Sequence, residues 1–304
     1  MDLRKLQYLV EAIEQGSLGK AAEALRVSQP ALTKGLRLLE CELNVKLLNR
    51  SKTGVMATDF GQSLYARARA IVAELDQARV EIKQLKGEAP SHVRLACLPS
   101  VGGLVARAVV QLTNKANDLT VRVVEKQNYE LLPALRRGDF DFIVAYGNPA
   151  TSDSGFKERQ IMRDCLSFAV RREHPLTRRR KVRLIDVVDY SWIFPIVGTT
   201  HFPLIKQLFS AAGLKTPVPR IECGSIQFAK AVILQSDSIG ILAEQAIEFE
   251  LTSGQMALLP YENKALRRTV SIYYREHHPL SLAARRVMGE IERTFREWRP
   301  KSNA

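Results

Sequence analysis

The stretch "RVSQPALTKGLRLLE", residues 26–40, has two chemically different faces at helical spacing. Leu32, Leu36 and Leu39, with Ala31 beside them, form an apolar stripe. The opposite face carries an amide, a proline, a hydroxyl and two cations: Gln29, Pro30, Thr33, Lys34 and Arg37. A solvated face needs only charge, whereas amides, hydroxyls and cations together are the groups that recognise base edges and phosphates. The stretch therefore predicts a helix that buries its leucines and presents its polar face to DNA.

The residues before this helix complete a helix-turn-helix. "LRKLQYLVEAIEQ" (3–15) predicts a first helix that ends at Gly16, and "SLGKAAEALR" (17–26) predicts a second, capped by its serine. After a tight turn, Ser28 is expected to cap the third helix. Pro30 fits its first turn, where a missing N–H costs little. Short helices joined in this way form a helix-turn-helix unit.

A hairpin is predicted next, in "LNVKLLNRSKTGVMATDFG" (43–61), where a polar loop interrupts apolar pairs. We interpret it as a wing beside the polar helix. Four residues are expected to contact the DNA backbone or minor groove near this wing: Ser28, Arg50, Lys52 and Thr58. Cations in such places position a protein on DNA without reading its sequence.

A long helix is predicted over residues 59–87. Its apolar residues recur in alternating steps of four and three: Leu64, Ala68, Ile71, Leu75, Ala78, Ile82 and Leu85. Packing against the chain's own core is one explanation. A homodimer seam is favoured, because helix-turn-helix proteins that read duplex DNA usually work as pairs.

The composition favours an anionic partner, with nucleic acid first. The net charge is +13, but residues 1–90 hold 14 Lys and Arg against 11 Asp and Glu, so most of the excess lies later in the chain. The densest cluster, "RRRKVR" (178–183), is either a solvated basic loop, a further phosphate contact or a region that steers an anionic ligand.

Other classes of protein are poorly supported. Four cysteines, Cys41, Cys97, Cys165 and Cys223, lack metal-binding spacing, so neither a metal nor a cofactor is expected. No run of eighteen apolar residues and no secretory signal is present, which predicts a cytoplasmic protein away from membranes. "CGSIQ" is not a GxSxG motif and "GSLGKA" is not a phosphate-binding loop, so an enzyme is not expected.

Beyond "GEAPSH" (87–92), which has the composition of a hinge, strands and helices alternate. Residues 93–146 predict a βαβαβ series, hence a parallel sheet with helices on its faces. A second α/β region follows, and "ALRRTVSIYYRE" (265–276) and a closing helix at 281–298 end the chain.

The whole chain resembles a LysR-type transcriptional regulator. The resemblance is most specific in "YLVEAIEQGS" (8–17), "AAEALRVSQPALTK" (21–34) and "LNVKLLNR" (43–50). "LRRGDFDFIVA", "HPL" and "SLAAR" are weaker matches further on.

The resemblance implies a multidomain fold: a winged helix-turn-helix at 1–58, a dimerising linker helix at 59–87, and an α/β effector domain at 88–304. That domain would resemble a type 2 periplasmic solute-binding protein. Its two Rossmann-like subdomains would be about 91–161 with 266–304, and about 162–265. The resemblance implies that the chain binds a double-stranded DNA operator and a small co-inducer, and that it pairs with a second copy of itself and further assembles into a homotetramer. RNA polymerase is a further candidate partner.

The effector is expected where parallel strands end and helices begin. Ser100 and the N–H groups of Val101 and Gly102 could hold an anionic group at a helix start, or could simply form a cap and a tight turn. Further candidates are Asn128, Thr199, Thr200, His201, Phe202, Ser225 and Gln227. Their meeting in one cleft follows from the family's architecture. A small carboxylate or aromatic acid fits these groups, and a neutral ligand stays open.

Two other functions compete with a regulator. A solute-binding or sensor module without DNA function is disfavoured by "VSQPALTK", and a missing DNA mobility shift would favour it. An enzyme would need an acid–base set in the cleft that these residues do not assemble.

Overall fold

The computed structural model describes residues 1–51, 54–86, 91–116, 118–147, 155–196, 201–261 and 266–300. The chain divides into two compact units. Unit 1 comprises residues 1–90 with 134–139, and unit 2 comprises 91–133 with 140–304. None of the described helices is long and apolar enough to cross a membrane.

Unit 1 contains four helices and a hairpin within its described residues. They are α1 (Leu3–Gln15), α2 (Leu18–Ala24), α3 (Gln29–Leu43), β1 (Leu48–Ser51), β2 (Gly54–Ala57) and α4 (Asp59–Leu85). The predicted boundaries are confirmed by their caps. Gly16 ends α1 with a φ of 60°, and the hydroxyls of Ser17 and Ser28 accept hydrogen bonds from the first turns of α2 and α3.

The core of unit 1 forms around the apolar stripe of α3. Leu32, Leu36 and Leu39 are almost completely buried, and pack with Leu9 of α1 and with the small residues of α2. Gly35 lies under the ring of Tyr8, where an added Cβ would come within 2.6 Å of a ring carbon. The contact requires glycine, because any larger residue would push α1 away from α3.

The wing is attached to the loop after α1. β1 and β2 pair in an antiparallel register from Leu48↔Ala57 to Ser51↔Gly54. The N–H of Val55 donates to the carbonyl of Gly16 at 2.9 Å. Gly54 has a φ of 139°, and a Cβ there would lie 2.7 Å from the same carbonyl. Glycine is therefore required both for this backbone conformation and for the close contact.

The start of α4 is held against the end of α3 by a tight junction. The Thr58 hydroxyl donates to the carbonyl of Lys46 at 2.7 Å and accepts from the N–H of Gly61 at 3.1 Å. A Cβ at Gly61 would lie 2.0 Å from the carbonyl oxygen of Leu47. The junction thus fixes the direction in which α4 leaves the domain.

Unit 2 is built on a nine-stranded sheet with the order β4-β3-β5-β11-β6-β9-β7-β8, and β10 also pairs with β6. The strands are β3 (Ser91–Cys97), β4 (Leu119–Glu125), β5 (Phe142–Tyr146), β6 (Phe156–Arg171), β7 (Trp192–Pro195), β8 (Ile221–Cys223), β9 (Ile239–Ala243), β10 (Met256–Leu258) and β11 (Arg267–Arg275). The helices are α5 (Gly102–Thr113), α6 (Asn128–Arg136), α7 (His201–Ala211), α8 (Ile226–Leu234), α9 (Glu248–Thr252) and α10 (Leu282–Glu297).

The two α/β halves repeat one topology. β3 lies between β4 and β5 in parallel, and β7 lies between β8 and β9 in parallel. β6 belongs to both halves, since it pairs antiparallel with β11 along its first part and with β9 and β10 along its second. The predicted subdomain boundary at residues 161 and 162 falls inside this strand. β10 and α9 were not predicted.

The core of the second half of the sheet surrounds Trp192. Its ring is fully buried and makes edge contacts with Phe168, Phe194 and Phe209 at centroid distances of 5.3–5.7 Å. Its indole N–H donates to the carbonyl of Val187 at 2.9 Å, which satisfies the one polar group of the ring. Large aromatic side chains thus form the centre of this core.

Candidate DNA-binding face and effector cleft

The polar face of α3 forms a shallow depression of about 630 Å³. The predicted residues Gln29, Pro30, Thr33, Lys34 and Arg37 line it together with Leu38 and Cys41, which sequence reasoning missed. All are exposed except Thr33, which is half-buried. Because the leucines fix the rotation of the helix, an amide, a hydroxyl and two cations face outward with an apolar side chain among them.

Glu40 joins the polar helix to the wing. One carboxylate oxygen accepts hydrogen bonds from the N–H groups of Leu47 and Leu48, at 2.9 and 3.2 Å. The other oxygen lies 3.8 Å from the guanidinium of Arg50. Glu40 therefore holds the first wing strand and orients a cation that was predicted to meet DNA.

The other residues that were predicted to contact DNA near the wing lie in different environments. Ser28 is exposed, and its hydroxyl caps α3 by accepting from the N–H of Ala31 at 3.4 Å. Lys52 lies outside the described residues. Thr58 uses its hydroxyl in the junction with α4, so the structure gives no support to a DNA contact there. The signal for this role was present in the sequence, since a threonine before "DFG" is also a helix cap.

The heptad seam of α4 is divided between two environments. Ala68 is buried against Leu6 and Val10 of α1, with Leu64 packed beside them. Further along, Ile71 and Ile82 are 46% and 56% exposed. Core packing thus accounts for the first turns of the seam, and it leaves Ile71 and Ile82 apolar and exposed in the single chain.

In unit 2, a cavity of about 80 Å³ lies where the strands of both halves end. Its polar groups come from Ser100, Gln127, Tyr146 and Ser225, and its apolar wall includes Ile193, Phe194 and Ile241. The carboxyl ends of parallel strands are where ligands bind in open α/β sheets. The side-chain amide of Gln127 donates to the carbonyl of Gly224 at 3.1 Å and bridges the two sides of the cavity.

A buried polar cluster forms one end of the cavity. The hydroxyls of Ser100 and Tyr146 share a hydrogen bond of 2.6 Å. The guanidinium of Arg268 lies 3.9 Å from the centre of the Tyr146 ring and forms a buried ion pair with Asp164. Burial raises the pKa of Tyr146, and Arg268 opposes this in part. The cluster therefore presents neutral hydroxyls to the cavity, and its cation is already balanced by a carboxylate.

The predicted anion site at the start of α5 needs correction. The N–H of Val101 donates to the carbonyl of Leu98 at 3.1 Å, and the N–H of Gly102 donates to the carbonyl of Pro99. A short 3₁₀ turn uses both donors, so they are not available to an anionic group. The alternative of a cap and a tight turn describes these two residues, and Ser100 is the member of the set that reaches the cavity.

The other predicted effector residues separate into three groups. Ser225 lines the cavity, and Gln227 lines an adjoining groove of about 770 Å³. Asn128 accepts from the N–H of Tyr146 at 3.1 Å and so supports the cluster from behind, while Phe202 packs on the aromatic core. Thr199 and Thr200 lie outside the described residues, as does the side chain of His201.

The adjoining groove is larger, and two of its cations are held in ion pairs. Arg107 pairs with Glu248 at 2.9 Å, and Lys230 pairs with Glu250 at 2.7 Å. The first pair joins α5 to the start of α9, and the second joins α8 to α9. The side-chain amide of Gln245 and one carboxylate oxygen of Glu250 are buried in this groove without a hydrogen-bond partner among the described residues. Because ligands of open α/β sheets bind at the carboxyl ends of the strands, the cavity there is the better candidate for an effector.

The four cysteines are free thiols. Burial raises the pKa of Cys97 to about 12, with a smaller contribution from Glu125, so that thiol stays protonated and unreactive. Cys223 lines the cavity, and burial raises its pKa as well. Packing is the role that the environments of Cys97 and Cys223 support, whereas Cys41 and Cys165 are exposed.

Two family models match the chain. The "Bacterial regulatory helix-turn-helix protein, lysR family" model matches residues 3–62, and the "LysR substrate binding domain" model matches residues 86–296. Among curated proteins, the HTH-type transcriptional regulator PcaQ of Agrobacterium fabrum is 31% identical over 296 residues, which cover 95% of each chain.

Solved structures share the fold at low identity. A full-length OxyR variant from Pseudomonas aeruginosa is similar with a TM-score of 0.71 at 21% identity, covering 99% of this chain and 96% of that one. CbnR, a regulator solved in complex with its target DNA, is similar with a TM-score of 0.67 at 18% identity, covering 97% of this chain and 100% of that one.

Replacing Glu40 with alanine is expected to loosen the wing. Two partly buried N–H groups lose their acceptor, which costs about 1–3 kcal/mol. Urea unfolding and amide hydrogen exchange at Leu47 and Leu48 measure the effect. Glu40→Gln, which keeps an acceptor oxygen, should recover most of the loss, and Glu23→Ala on the exposed side of α2 is the control. Unchanged exchange at both amides in Glu40→Ala would contradict the assignment.

Proposed function

Because the chain belongs to the LysR family of bacterial transcriptional regulators, we propose that it reads a two-half-site operator with α3 and responds to a small effector held in unit 2. Its relatives and its fold are those of regulators and not of enzymes. The observation that carries the proposal is the outward face of α3, where base-reading groups are gathered over a leucine core. The proposed location is the cytoplasm, because that is where a bacterial DNA-binding regulator meets DNA.

On DNA, the residues of α3 divide by chemistry. Gln29 suits a bidentate contact to adenine, while Pro30 and the Thr33 methyl suit a thymine methyl. Lys34 and Arg37 suit a guanine edge or a phosphate. Ser28, Arg50 and Lys52 are proposed to contact the backbone near the wing. Residues 1–58 form this reading domain.

The exposed turns of α4 are proposed to pair with the same helix of a second chain. Ile71 and Ile82 lie on the seam and are uncovered in the single chain, which supports a partner helix over residues 59–87. A pair of dimers would give the tetramer that the family resemblance implies. RNA polymerase is the proposed target of the assembled regulator.

The effector is proposed to bind across the two halves of residues 88–304. Its polar end would meet Ser100, Tyr146 and Gln127, and its body would lie against Ile193 and Phe194. Ligand sites usually hold about 300–1,000 Å³, so a cavity of about 80 Å³ must open. A small carboxylate is the first class to test, because the net charge of the domain is positive. Neutral donors would hold it, since Arg268 is paired with Asp164.

The two halves are connected through β6, which pairs with β11 on one side and with β9 on the other. Opening the cleft would alter the angle between these halves. An effector can shift this equilibrium only by binding the open state more tightly than the closed one. Across an oligomer, the change would alter the distance between reading domains.

Genomic fragments selected by the purified protein are expected to contain a short interrupted palindrome. The Gln29→Ala/Thr33→Ala variant should lose this preference, because each lost base contact costs about 1–3 kcal/mol. Deep sequencing of bound fragments measures it, with Glu23→Ala as control. Recovery of the same fragments by the double variant, or salt-sensitive binding without preference in the wild type, would favour a sensor module over a regulator.

The Ile82→Glu substitution is expected to raise the dissociation constant of the dimer about 100-fold. Two copies of an isoleucine lose burial worth roughly 1.5 kcal/mol each, and tenfold corresponds to about 1.4 kcal/mol. Sedimentation equilibrium compares Ile82→Glu with Gln62→Glu, an exposed position on the same helix. Equal dissociation constants for the two variants would count against a seam at 59–87.

A panel of small carboxylates and matched neutral amides should stabilise the wild type against heat, with carboxylates the better ligands. Tyr146→Phe is expected to weaken binding about tenfold through loss of one hydrogen bond. Tyr129→Phe, on the exposed side of α6, is the control. Undiminished binding to Tyr146→Phe would remove the cavity from consideration. Stabilisation by the amides alone would exclude the carboxylate class.

A further inference from the structure

A dense group of cations lies on unit 2, far along the sequence from α3. Residues 171–183 contain seven Lys and Arg. Three form ion pairs: Arg171 pairs with Asp237 and Glu173, and Arg179 and Arg183 share Asp186. The other four are exposed and form no ion pair with any residue that the structure describes: Arg172, Arg178, Arg180 and Lys181. We call these four the cation platform.

The backbone beneath the cation platform is fixed. Leu176 and Val182 are buried in the aromatic core, and the N–H of Val182 donates to the carbonyl of Pro260 at 3.2 Å. The side chain of His174 is buried, and its Nδ1 accepts from the N–H of Leu176 at 3.2 Å. The Thr177 hydroxyl donates to the carbonyl of His174 at 2.7 Å. The four cations therefore extend from a segment whose backbone is held in place by the core.

Charge defines the kind of partner. Residues 171–190 contain seven Lys and Arg against three Asp and Glu, so the segment has a surplus of four positive charges. Arginine forks match phosphate oxygens in pairs. Duplex DNA is a regular row of phosphates, and a protein tethered to it by another domain sees the flanking duplex at high effective concentration. DNA is therefore favoured over an acidic protein.

We propose that the cation platform binds backbone phosphates of duplex DNA outside the segment read by α3. The inference rests on the proposed function in one respect, that duplex DNA is the ligand of the chain. Contacts of this kind would add affinity and salt dependence without adding sequence preference.

The test is the salt dependence of DNA binding by the full chain. The platform variant is Arg172→Gln/Arg178→Gln/Arg180→Gln/Lys181→Gln. The control, Arg122→Gln/Lys215→Gln/Arg285→Gln/Arg286→Gln, removes equal charge from other exposed positions of unit 2. On a long random-sequence duplex, the slope of log K against log salt should become shallower by about 3–4 in the platform variant, since each phosphate contact contributes about 0.9. The control should change it by less than about 1.

Equal slopes for the two variants would overturn the proposal and leave an acidic protein or solvent as the partner. A photocrosslinking residue at position 180, compared with position 215, gives a second readout that needs no charge removal. Crosslinking to DNA from 180 alone supports the platform, and none from 180 contradicts it. The Gln29→Ala/Thr33→Ala variant distinguishes sequence reading by α3 from phosphate binding by the cation platform. It should lose sequence preference and keep the contribution of the cation platform to the salt dependence.

Discussion

The burial of three leucines on α3 determines what the first unit can do. Leu32, Leu36 and Leu39 are at most 1% exposed, so the helix cannot rotate without opening the core of unit 1. Polar side chains on the other face are consequently fixed in direction by apolar packing on the opposite side of the same helix. Glu40, on the same helix, extends this control to the wing through two backbone N–H groups. Recognition chemistry is therefore held in place by a small hydrocarbon core.

In unit 2 the corresponding constraint is a single long strand. β6 contributes hydrogen bonds to both halves, so the two walls of the cavity are joined by one continuous strand and are not independent domains. Gln127 adds a lighter bridge from one wall to the other. A continuous strand shared by two halves of a sheet resists their separation. The buried pair of Arg268 and Asp164 joins β11 to β6 and strengthens the sheet near the point where β6 passes from one half to the other.

The elements of unit 1 could be predicted from patterns among residues close together in the sequence. In unit 2, prediction was limited because several features depend on contacts between residues far apart in the sequence. Caps, the leucine stripe and the heptad steps each depend on residues a few positions apart, and the structure confirms the helices they predict. The first part of β6, "FKERQ", is polar and exposed, so its sequence lacks the alternation of apolar and polar residues that predicts a strand. It is a strand because it pairs with β11. Tyr146 and Arg268 are brought together by strand pairing across more than a hundred residues. The N–H groups of Val101 and Gly102 were misassigned because a 3₁₀ turn uses them.

The late position of β11 and α10 has a consequence for synthesis on the ribosome. β11 pairs with β5 and β6, and α10 packs on α5 and β3, so the first half of the sheet is completed by the last elements of the chain. Unit 1 can bury its core soon after α4 emerges, whereas β3, β4 and β5 must wait for almost the whole chain. During synthesis, unit 1 is therefore expected to fold before unit 2. A prematurely terminated chain would contain the DNA-binding unit without the effector-binding unit that regulates it.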